Sequence, residues 1–98
     1  MARVAIVAPE LMFGSRIEGG VRAAGHELVA PGDDPDLVIA DVELVDPAEV
    51  VGPRRLGFYP HTQVELRRRA EAAGFDMVVP RSRIARELAQ LVERLTSS

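Results

Sequence analysis

Short unbroken apolar runs alternate along this chain with longer stretches of helical spacing. Val4–Ala8 (VAIVA) has no polar alternation and predicts a central strand buried on both faces. Pro9-Glu10 predicts the start of a helix, since Pro suits the first turn and the acid suits its positive end. Phe13, Ile17, Val21 and Ala24 then fall at i, i+4, i+8 and i+11, one buried stripe. Gly14, Gly19 and Gly20 weaken this helix and imply close packing. They do not make a phosphate loop, because the turn directly after the strand has no glycine. Gly25 is placed to cap the helix. His26–Ala30 (HELVA) alternates from a polar start and predicts an edge strand, with His26 structural or exposed. The link Pro31-Gly32-Asp33-Asp34-Pro35 leads to the third strand, Asp36–Ala40, with its apolar run Leu37–Ala40 closed by Asp41 (PDLVIAD). Parallel crossovers normally carry a helix, and this link cannot hold one. Either the chain crosses the sheet bottom in an extended loop, or the second strand is short or irregular.

The second half repeats the pattern. Val42–Arg55 predicts a loop with at most one helical turn, N-capped by Asp46 with Pro47 following, and stopped at Gly52-Pro53. Leu56–Tyr59 predicts a fourth strand. Thr62-Gln63-Val64-Glu65 reads as a capping box for a helix to Ala73. That helix buries Leu66, Ala70 and Ala73, with Arg67–Arg69 outside and Gly74 as cap. Phe75–Val79 is the fifth strand, and Pro80-Arg81-Ser82 a turn. Ser82 caps a last helix with its stripe at Ile84, Leu88, Leu91 and Leu95, ending in a frayed Thr96-Ser97-Ser98 tail. Strands and helices in this order, with right-handed crossovers, predict an α/β fold. The expected form is a flavodoxin-like open parallel five-stranded sheet, order 2-1-3-4-5, with helices on both faces. The second helix is missing and the third reduced.

Composition narrows the classes. At 98 residues the chain is expected to be a single domain, 1–98, and 47% hydrophobic content excludes general disorder. No cysteine means no disulfide, thiolate metal site or thiol nucleophile. All 12 basic residues are Arg, so lysine chemistry is excluded. A net charge of −3 and a pI near 5.3 argue against a nucleic-acid partner. No apolar run approaches a membrane span and the N-terminus is not a signal peptide, so a cytoplasmic location is expected.

PDLVIAD, AEAAGFDMVVPRS (Ala70–Ser82) and VAIVAPE together resemble a response-regulator receiver domain of the chemotaxis-regulator-like kind, over nearly the whole length. By this resemblance Asp41 stands at the phosphoacceptor position. The Lys-Pro that normally ends the fifth strand falls on Arg81 and Ser82. The acid pair that holds Mg²⁺ falls on Ala8 and Pro9. The Mg²⁺ site thus looks lost, and no cofactor or metal ligand is expected. The resemblance implies a shortened, stand-alone, degenerate (pseudo-receiver) form. Its remnant pocket would comprise Asp41, Glu10, Tyr59, His61, Arg81 and Ser82, with Arg81 able to pair with Asp41.

His61 lies on the loop after the fourth strand and would need Asp41 or Glu10 in reach to act as a catalytic base. No catalytic constellation is complete, so no enzyme is expected. Arg67-Arg68-Arg69 spreads around a turn beside Glu65 and Glu71 and reads as a solvated face. Arg81, Arg83 and Arg86 surround the start of the last helix, an arrangement suited to an anion. The expectation is a signalling and protein-interaction module, not phosphorylated at Asp41. Its partner would dock on the fourth helix, fifth strand and last helix of the receiver pattern, here 62–73, 75–79 and the helix from Ser82. The alternative is a small-ligand or nucleotide-binding module using the C-terminal edge of the sheet. A missing second helix would leave apolar sheet surface for a homodimer to cover.

Overall fold

Leu37–Asp41, the third strand (β3), is buried at every residue and lies at the middle of the sheet. A computed structural model describes residues 1–97; Ser98, the end of the expected tail, lies outside the described residues. The other elements are β1 (Arg3–Val7), α1 (Leu11–Ala23), β2 (Glu27–Leu28), β4 (Arg55–Tyr59), α2 (Val64–Ala72), β5 (Met77–Pro80) and α3 (Arg81–Thr96). A single 3₁₀ turn, Pro47–Glu49, stands between β3 and β4, capped by Asp46 as expected. All strand pairs are parallel and the order is β2-β1-β3-β4-β5, the flavodoxin-like order.

Alternation along the strands divides the core. Leu37 and Ile39 join Val4, Leu56, Phe58 and Val79 on the face covered by α1 and α3, through Ile17, Val21, Ile84, Leu88, Leu91 and Val92. Val38 and Ala40 join Ala5 and Tyr59 on the other face, under Val42, Val50, Ala70 and Phe75. Asp41 follows Ala40, so its side chain falls on the α1/α3 face.

Several boundaries move for local reasons. α1 begins at Leu11, not Pro9, because Glu10 is itself the N-cap: its carboxylate accepts from Met12 N (3.0 Å) and Phe13 N (2.7 Å). Ala24, expected in the stripe, is exposed at the C-cap, and Gly25 takes φ 87° beyond it. The Thr62 capping box does not form. Gln63 holds the N-cap position without a side-chain bond, and Glu65 pairs instead with Arg68 at 2.8 Å. Nor does Ser82 cap the last helix, which has Pro80 at the N-cap and so starts two residues earlier, at Arg81. Thr96 is not frayed: it closes α3, donating its hydroxyl to Val92 O (2.7 Å).

The helix-free link is resolved in both ways at once. β2 is short, and residues 29–36 cross the bottom of β1 in a helix-free loop that turns at Ala30–Asp33. Val29 N donates to Val4 O (2.9 Å); the next rung on that edge would need the N–H of residue 31, which is Pro. The chain therefore turns back while still level with the start of β1. There Asp36 exchanges two bonds with Arg3, both 2.8 Å. At this bottom end a cleft of about 790 Å³ is bordered by Met1, Ala2 and His26 and by Leu95, Thr96 and Ser97. His26 is structural, accepting from Ala2 N at Nδ1 (3.0 Å). Among the described residues no helix is long and apolar enough to cross a membrane.

Candidate functional site

Asp41 is the one charged residue buried in the core among the described residues, 1% exposed. A buried carboxylate must be bonded or paired to remain tolerable. Its Oδ1 accepts from Glu43 N (3.0 Å), a turn made by its own following residues. Its Oδ2 faces Arg81 Nη2 at 3.4 Å, a long contact that is more ion pair than hydrogen bond. The same Nη2 lies 3.8 Å from Glu43 Oε1, so one guanidinium stands against two carboxylates. Glu43 is fixed in turn by Gln63, whose Nε2 donates to Oε2 at 3.0 Å.

The sheet order brings these groups together. Asp41 is level with Phe58 on β4, and Tyr59 is level with Pro80 on β5. Arg81, the first helical residue after Pro80, therefore reaches back across the end of β4. Its guanidinium lies 5.1 Å from the Phe13 ring centroid and 6.0 Å from that of Phe58. The two rings meet at 5.2 Å with a 58° tilt. Cation–π attraction and two carboxylates thus hold the same cation. The cost is visible: Arg81 Nε is buried with no hydrogen-bond partner.

Beside Arg81 an open cleft of about 440 Å³ is lined by Phe13, Arg16, Pro60, His61, Arg81, Ser82 and Ala85. The structure thus brings His61, Arg81 and Ser82 together, with Asp41 below them behind the Arg81 guanidinium. Two expected pocket residues are elsewhere. Glu10 is spent on the α1 N-cap. Tyr59 points to the opposite face of the sheet, into the cluster with Ala40 and Ala70, because it is one residue out of phase with Phe58. Beyond that face, Glu71 first and Tyr59 second raise the pKa of Arg67, which keeps its charge. Arg67 and Arg68 form a solvated face, paired with Glu71 and Glu65.

Sequence reasoning missed Glu43, Gln63, Phe13 and Phe58 as site residues. Glu43 follows β3 in a turn, so no strand periodicity points to it.

The donor set does not suit Mg²⁺, which takes several oxygen ligands at once. Positions 8 and 9 are Ala and Pro, Glu10 is a cap, and the two remaining carboxylates already face a guanidinium. Among the described residues no group of three His, Cys, Asp or Glu side chains is placed to hold a metal.

No protein-family model matches this sequence, and no curated protein matches it. A response regulator from Thermotoga maritima has a similar structure: the TM-score is 0.78 at 14% identity, over 100% of this chain and 99% of that one. Identity that low speaks for the fold alone. The chain has the receiver-domain fold of a response regulator, with no helix between β2 and β3 and a single 3₁₀ turn between β3 and β4.

Proposed function

We propose that this chain is a cytoplasmic, receiver-like signalling module that acts by docking a protein partner, and that Asp41 is held by Arg81 rather than phosphorylated. The observation that carries this reading is the Asp41 carboxylate, 1% exposed, with one oxygen bonded to Glu43 N and the other facing Arg81. Phosphoryl transfer requires an in-line approach to a carboxylate oxygen and cations around the transferring group. Here the guanidinium occupies the approach, and the β1 end supplies no acids for Mg²⁺. Arg81 fixes the switch in one state, and the partner docks on α2, β5 and α3. No catalysis is assigned to the site.

The test is NMR of the full chain with beryllofluoride and Mg²⁺, or with acetyl phosphate and Mg²⁺. The spectrum is expected to stay unchanged around Asp41. Shifts centred on Asp41, Glu43 and Arg81 would overturn the locked reading and restore a phospho-switch.

A second reading, a small-ligand or nucleotide-binding module, draws on the cleft where Arg16, His61 and Ser82 meet beside the start of α3. A thermal-shift panel of nucleotides and phosphorylated metabolites tests it.

A further inference from the structure

The cleft beside Arg81 does not end at the edge of the sheet. A narrower groove of about 150 Å³ continues from it between α1 and α3, sharing Phe13, Arg16 and Ala85 and reaching Gly20 and Leu88. From Phe13 to Gly20 the path follows α1 for about 10 Å at a rise of 1.5 Å per residue. It is open to solvent, whereas small-ligand sites enclose most of their ligand. The shape suits a linear segment.

Its charge is at odds with the rest of the molecule. The chain has a net charge of −3, yet no acid lines the cleft or the groove; Arg81 there is already held by Asp41 and Glu43, which leaves Arg16 as the arginine open to a ligand. Among the other helical arginines Arg67 is paired with Glu71, Arg68 with Glu65 and Arg83 with Glu87, while Arg22, Arg69, Arg86 and Arg94 have no ion pair among the described residues. Arg16 has no ion pair among the described residues. The sequence gives it none, because its neighbours at three and four positions are Met12, Phe13, Gly19 and Gly20. It lies instead over the Phe13 ring at 5.9 Å. Met12, 79% exposed, stands one turn before it on α1.

We propose that the α1–α3 cleft docks an acidic peptide segment of a partner protein. A carboxylate of the segment pairs with Arg16, and a large apolar side chain packs on Phe13 and Ala85. This surface is on the α1 side of α3 and is distinct from the α2–β5–α3 face assigned above.

The test pans a random-peptide library against the full chain and measures the enriched peptides by fluorescence anisotropy. Segments combining Asp or Glu with a large apolar residue are expected. Their Kd is expected to rise about tenfold in Arg16→Glu, the loss of one charge-paired contact. It should stay within about twofold in Arg69→Glu, the same charge change on α2. Absence of an acidic consensus overturns the proposal. So does weakening by R69E and not by R16E, which would place the segment on the α2 side and leave the docking reading standing. Arg16-dependent binding of inorganic phosphate or nucleotides without any enriched peptide also overturns it, in favour of a small-anion site.

Discussion

Arg81 is the residue whose loss should cost most at the site, because it stands against two carboxylates and two aromatic rings together. Arg81→Ala leaves Asp41 buried with a negative charge and no cation. A fully buried pair broken in this way costs about 3–5 kcal/mol, and a surface pair about 1 or less. The Arg81 side chain is 36% exposed, so the expected loss is intermediate, about 2 kcal/mol. Asp41→Asn should cost less, because an amide oxygen still accepts from Glu43 N and Arg81 keeps Glu43. Urea unfolding of both variants measures the difference; an Asp41→Asn loss as large as that of Arg81→Ala would refute this ordering. Arg81→Lys keeps the charge without the planar face that lies on Phe13 and Phe58, and should fall between. Asp41 and Arg81 were legible in the sequence because one closes a strand and the other directly follows one, and strand ends are fixed by the apolar runs. Glu43 and Gln63 were not, since they lie in loops whose paths no periodicity sets. Phe13 is expected in the buried stripe but is half-buried, packed against the edge of the core, where the same ring also carries two arginines.

At the scale of elements, the α1–α3 contact turns on two adjacent glycines with opposite roles. A Cβ on Gly19 would meet nothing within 4 Å, whereas one on Gly20 would fall 2.5 Å from Leu88 Cδ2. Helix propensity favours Ala over Gly by about 1 kcal/mol at either position. Gly19→Ala should therefore raise stability by most of that amount. In Gly20→Ala the displacement of buried Leu88 should cancel the gain or reverse it. Thermal unfolding of the two variants side by side separates propensity from packing; equal gains would show that Leu88 yields freely. Just before Leu88, Glu87 leaves the helical region (φ −126°, ψ 21°), so α3 bends where it meets Gly20. The helix stripes and the C-terminal glycines were readable from the sequence, but the N-caps of the α-helices were not. Thr62 and Glu65 have the right separation for a capping box, yet the turn closed by Gln63 N to Pro60 O starts the helix one residue late. Thr62→Ala should then change stability by less than about 0.5 kcal/mol. Glu10→Ala removes a cap that does form and should cost about 1 kcal/mol. Denaturant titration distinguishes the two.

For the whole molecule, the helix missing after β2 does not leave the expected bare sheet. Val38 and Ala5 on that face are fully buried within the single chain. The segment after β3 folds over them, with Val42 and Val50 inward. Gly52 lies so close that a Cβ there would come within 2.7 Å of Val38 Cγ2. The loop does the work of the absent helix, and the argument for a subunit covering that face loses its basis. Sedimentation velocity at increasing concentration is accordingly expected to show a monomer, and a concentration-dependent dimer would contradict it. The strand order was predictable because apolar runs and chirality leave few arrangements. The path of the 42–54 loop was not, since it depends on one close approach at Gly52. The cleft at the bottom of the sheet has a further consequence. Met1 and Ala2 on one side and Thr96 and Ser97 on the other border the same space, while the exposed tip of the β2–β3 loop at Gly32–Asp34 lies in a helix-free link. The order of the elements along the chain can therefore be rewritten without redrawing the sheet. A circular permutant that begins at Asp33, with the old ends joined by a short glycine–serine bridge, should fold to the same parallel order.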